Sequence, residues 1–100
     1  MNREVNKGEL YFVNLEAGRV AGLRPYLILS VEGNQVKACP LTTSIFAMKN
    51  PELSLVLTPN ETNHLPKASA VLTCCVEVIE VSKLENLLGC LTTEEMACLK

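Results

Sequence analysis

Aspartate is absent from this chain, so its eleven acidic side chains are all glutamates. That excludes a Ser-His-Asp triad and any metal site built on aspartate. His64 is the single histidine, which excludes chemistry that needs a pair of imidazoles. Tryptophan is missing too, and the aromatics are Tyr11, Phe12, Tyr26 and Phe46 alone. No stretch approaches the roughly 18–20 apolar residues of a membrane span. Met1-Asn2-Arg3-Glu4 lacks the layout of a secretory leader, so none is expected. The five cysteines contain no CxxC pair, and zinc ligation needs spacing they do not offer. Cys39, Cys74, Cys75, Cys90 and Cys98 read as small buried thiols in a reducing cytoplasm; on a strand, the adjacent Cys74 and Cys75 would point to opposite faces. Gly18 and Gly22 precede no helix, so they do not form a phosphate-binding glycine motif.

What is present suits a single domain over residues 1–100, with an aliphatic core drawn from the 48% of residues that are apolar. A formal charge of −2 and a pI near 5.4 argue against coating a polyanion through bulk positive charge. A local site that grips one or two phosphates remains compatible with that balance. Strand formers dominate Glu9 to Leu15, Pro25 to Val31 and Gln35 to Leu41, with Glu32-Gly33-Asn34 as a hairpin turn between the last two. Glu52 to Leu57 alternates as a half-buried strand. Ser69 to Cys74 and Val76 to Val81 read as one long strand or two linked ones. After a polar break from Ser82 to Asn86, Leu87 to Leu91 is a weaker strand. Thr92-Thr93-Glu94-Glu95 matches a capping box and opens a terminal helix, with Met96 and Leu99 toward the core. Short strands with one final helix predict a mainly β fold, a small and strongly bent β-barrel.

Two residues stand out chemically. Arg24 directly precedes Pro25 at the mouth of the second strand, and Thr42 closes the third in Pro40-Leu41-Thr42-Thr43-Ser44. A guanidinium donates two parallel hydrogen bonds to a phosphate and stays charged at any working pH. A hydroxyl can donate to the same group. The lesser reading of Arg24 is a surface arginine salt-bridged to a glutamate, and without further context Thr42 could equally close a turn.

In their order, Lys7-Gly8-Glu9-Leu10-Tyr11-Phe12-Val13-Asn14-Leu15, Gly22-Leu23-Arg24-Pro25-Tyr26-Leu27-Ile28-Leu29, Pro40-Leu41-Thr42, Ser69-Ala70-Val71-Leu72 and Leu91-Thr92-Thr93-Glu94-Glu95-Met96 resemble the MazF/PemK family of toxin ribonucleases. The resemblance implies an SH3-like barrel, a homodimer and metal-free, cofactor-free cleavage of single-stranded RNA in the cytoplasm. It also implies a cognate antitoxin that lays an extended acidic tail across the site, with Arg24 and Thr42 as the catalytic pair. The chain departs from the family at Val20, where a loop glutamate is common. It departs again at Cys74-Cys75-Val76-Glu77, where Glu-Gln-Ile-Arg is common.

RNA cleavage through the 2′-hydroxyl requires a proton acceptor, stabilisation of the phosphoryl oxygens and help for the leaving 5′-oxygen. Arg24 fits the second role and Thr42 assists, whereas the base is not identified by sequence. Arg19, Thr43, Phe46 and Lys49 are the candidate substrate-binding residues, with Phe46 as a stacking platform for a base. The alternative is a silent relative that binds a protein, in the manner of CcdB-type gyrase poisons.

Overall fold

The computed structural model describes residues 4–14, 23–43, 49 and 54–98. Its strands are β1 Glu9–Asn14, β2 Leu23–Glu32, β3 Gln35–Thr42, β4 Ser54–Leu57, β5 Ser69–Leu72, β6 Glu77–Glu80 and β7 Leu84–Cys90. A 3-10 turn, Val81–Lys83, joins β6 to β7, and the helix α1 spans Thr93–Ala97. All pairings are antiparallel, in the order β4-β5-β3-β2-β1-β7, with β6 also on β3.

The hairpin between β2 and β3 closes with Glu32 opposite Gln35. Gly33 takes φ 65°, at the first of the two central positions. That is where a II′ turn needs a left-handed residue, and it explains why glycine precedes asparagine.

β3 organises the sheet. One edge pairs with β2; the other is shared in succession by β6, along Gln35 to Ala38, and by β5, at Leu41 and Thr42. The strand alternation therefore feeds two cores. Tyr11, Val13, Tyr26, Ile28, Val36 and Ala38 bury one face together with Val5, Ile79 and Leu84. Leu10, Leu27, Cys39 and Leu41 bury the other against Leu57, Val71, Leu65 and Leu91, with Met96 of α1 packed alongside. Burial on both faces is why Tyr26 to Ile28 is apolar without alternation.

The connectivity forces a bend. Laid flat, the run β6-β3-β2-β1-β7 would put its outer strands about 19 Å apart. Yet Glu80 at the end of β6 and Leu84 at the start of β7 are separated by a three-residue turn, a link that reaches at most about 14 Å. The sheet curls over its first core as a consequence. The mainly β class with a short terminal helix is as expected, but the barrel is not closed. Among the described residues no ladder joins β7 to β6 or β4, because the 3-10 turn occupies the link that would start one and β3 spends its outer edge on two different strands. A further difference is at the expected break over Ser82 to Asn86. β7 already begins at Leu84, whose buried side chain and pairing with Val13 draw it into the sheet.

The polar loop before β5 is ordered by two asparagines. Asn60 Oδ1 accepts from the Thr62 and Asn63 amides, both at 2.8 Å. The fully buried Asn63 accepts from the Leu65 amide at 2.9 Å and donates to the Thr58 carbonyl at 2.9 Å. His64 Nδ1 donates to the Leu88 carbonyl at 2.8 Å, so this exposed histidine ties the loop to β7. α1 begins with the expected capping box: Glu95 N donates to Thr92 Oγ1, and Glu95 Oε1 accepts from Thr92 N.

Candidate functional site

Arg24 is the second residue of β2, exposed, and aligned with Val13 of β1. The β2–β3 ladder pairs Ile28 with Ala38 and Tyr26 with Pro40. That ladder ends at Tyr26 and Pro40, and Arg24 and Thr42 each lie two residues beyond its end, on β2 and β3 respectively. Side chains two apart on a strand share a face, so Arg24 and Thr42 sit at the rim of the face lined by Tyr26 and Ile28. Thr42 is half-buried as the last residue of β3 and pairs with Ala70 of β5 on its other side. The sequence-adjacent Thr43 is exposed just past the strand.

Directly inside this rim lies a pair that sequence reasoning missed. The buried Tyr26 hydroxyl donates to the Glu77 carboxylate, at 3.4 Å to Oε1 and 3.5 Å to Oε2. Burial, first, and then the Glu77 charge push the Tyr26 hydroxyl above its ordinary titration range, while the Arg24 charge pulls it down. Guanidinium, phenol and carboxylate are thus in one electrostatic neighbourhood. Tyr26 reads in sequence as core, and Glu77 as part of a solvated strand face. The Arg24-x-Tyr26 spacing on a strand was a usable signal for the first. Nothing local signals the second, since Glu77 arrives through the β6–β3 pairing opposite Ala38.

The remaining expected residues divide. Arg19 and Phe46 lie outside the described residues. Lys49 is exposed in the β3–β4 connection, and no bond or ion pair among the described residues ties it to Arg24 or Thr42. The ion pair the described residues form is Lys37 with Glu32 at 3.6 Å. Arg24 has no such partner among them.

The class defined by these features is a small antiparallel β domain, bent by its topology, with a guanidinium and a hydroxyl on adjacent strands just past the end of their ladder. A family model described as PemK-like, MazF-like toxin of type II toxin-antitoxin system matches residues 6–100. The chain belongs to this family of toxins. A search of curated proteins found no match. Among solved structures, the fold is similar to that of an endoribonuclease in complex with its cognate antitoxin from a mycobacterial species. The TM-score is 0.68 and the identity 22%, over 97% of this chain and 85% of that one. At that identity the likeness is one of fold.

Proposed function

We propose that this toxin is an endoribonuclease that cleaves single-stranded RNA without a metal or other cofactor. The observation that carries the reading is that Arg24 and Thr42 each lie two residues beyond the Tyr26–Pro40 end of the β2–β3 ladder, next to the Tyr26–Glu77 pair. Arg24 grips the scissile phosphate and offsets charge building on its non-bridging oxygens. Thr42 donates its hydroxyl to the same group. Glu77 is the proton acceptor among the described residues of this neighbourhood, because the guanidinium stays charged and the Tyr26 phenol keeps its proton. It is suited to take the proton of the attacking 2′-hydroxyl. Arg19, Thr43, Phe46 and Lys49 are the proposed contacts to the rest of the RNA.

The partners follow from the same reading. The similar endoribonuclease is bound to its cognate antitoxin, and an acidic antitoxin tail would compete with RNA for Arg24. We further propose a homodimer acting in the cytoplasm, a compartment that suits the exposed free thiols Cys74, Cys75 and Cys98. Among the described residues no helix is long and apolar enough to cross a membrane. A second reading, a silent relative that works by binding protein, is favoured by Val76 and Val78, which stand exposed at β6.

Incubating the folded protein with a long unstructured RNA in EDTA separates the two. Cleavage that survives chelation and falls about 10²–10³-fold in Arg24→Ala supports the enzyme. Intact RNA with the folded wild type, together with tight binding of an acidic antitoxin peptide, supports the second reading.

A further inference from the structure

Cys74 and Cys75 do not lie on a strand. The Cys75 amide donates to the Leu72 carbonyl at 3.0 Å, so the two cysteines occupy the second half of the tight turn from β5 toward β6. The turn removes the alternation that would send neighbouring side chains to opposite faces. Their sulfurs are 3.5 Å apart, in a thiol–thiol hydrogen bond, and both residues are exposed, as is Cys98, where the sequence implies buried thiols; the turn carries Cys74 and Cys75 off the sheet. A disulfide requires sulfurs at about 2 Å, so closing this pair needs a further approach of about 1.5 Å within a surface turn. Of the other cysteines, Cys39 is buried and Cys90 is half-buried.

We propose that Cys74 and Cys75 form a redox-active vicinal dithiol, a modification site for low-molecular-weight disulfides. The Cys74 thiolate attacks one sulfur of the oxidant RS–SR. The oxidant's S–S bond breaks, a mixed disulfide forms on Cys74, and RS⁻ leaves and takes up a proton. Cys75 then loses its proton and attacks the Cys74 sulfur. The Cys74–Cys75 bond forms and the second RS⁻ leaves, so two electrons pass from the protein to the oxidant and two RSH are released. The hydrogen bond with Cys74 raises the Cys75 titration above its ordinary value, which agrees with Cys75 as the second, resolving thiol. The closed ring lies immediately before Val76 and Glu77, at the entry to β6.

The test uses the full chain carrying Cys90→Ser and Cys98→Ser, so that no other accessible thiol competes. The protein is treated with oxidised glutathione, alkylated with iodoacetamide and mapped by mass spectrometry. The expected result is a Cys74–Cys75 peptide lacking two hydrogens, free of glutathione and unalkylated until dithiothreitol is added. Adding Cys75→Ser should instead trap one glutathione on Cys74. Stable glutathione on either cysteine of the unmutated pair, full alkylation of both, or a disulfide-linked dimer through them would overturn the proposal. The readout is thiol chemistry, so its failure is distinguishable from a failure of the RNA-cleaving reading.

Discussion

Cys39 sits in the core of the sheet, and burial, with smaller contributions from Cys75, Cys74 and Glu77, pushes its thiol from 9.0 to about 11. In the unfolded chain the same thiol ionises near its ordinary value. Stability is therefore undiminished below about pH 9 and declines as the pH rises toward 11, by at most about 3 kcal/mol. Urea unfolding at about pH 8 and about pH 10.5 should register this fall, and Cys39→Ala should flatten it. Tyr26 gives a second residue-level prediction. Replacing Glu77 with glutamine removes the charge that helps hold the phenol protonated. In a Tyr11→Phe background, the ultraviolet titration of Tyr26 should then move downward, yet stay above its ordinary value because burial is the larger cause. An unmoved titration would mean that Glu77 does not act on Tyr26. Arg24 and Thr42 were legible at this scale because their residue types and strand-end positions are local properties. Glu77 was not, since its contact with Tyr26 arises only through the pairing of β6 with β3.

Among the elements, β7 depends most on close packing. A Cβ at Gly89 would collide with the Thr62 carbonyl and lie 2.7 Å from the Asn63 backbone. Those atoms belong to the loop held by the Asn60–Asn63 bonds, and Cys90 N donates to the same Thr62 carbonyl at 3.0 Å. Gly89→Ala should cost about 1–3 kcal/mol through overpacking, measured by urea unfolding, whereas a loss near zero would show that the loop yields. Local chemistry made several elements readable in advance. The Thr92–Glu95 capping box and the Gly33 turn each depend on a few adjacent residues. The start of β7 did not, because Leu84 is drawn into the sheet by Val13 and the inner core. The turn at Cys74 and Cys75 also escaped a strand-based reading: an apolar, β-prone run carries no local mark of where it folds back.

For the whole molecule, a net charge of −2 leaves the proposed RNA binding to the local field at the rim. With two or three phosphates neutralised, the logarithm of affinity should fall against the logarithm of salt with a slope of roughly −1.4 to −2, readable by fluorescence anisotropy on a single-stranded oligonucleotide. A slope near zero would remove the phosphate-gripping role from Arg24. The sequence by itself determined the strand-rich class, the aliphatic composition of the core, the terminal helix and the presence of an arginine and a threonine at the ends of neighbouring strands. These follow from periodicity, turn chemistry and side-chain type, all of which act over a few residues. Only the tertiary structure decided that the β2–β3 ladder stops at Tyr26 and Pro40, with Arg24 and Thr42 just beyond it, and that β6 brings Glu77 to Tyr26. It alone also showed that the sheet curls without closing. Those outcomes depend on how β3 divides its edge between distant strands and on the short reach of the Val81–Lys83 turn, constraints that act between segments far apart in the chain.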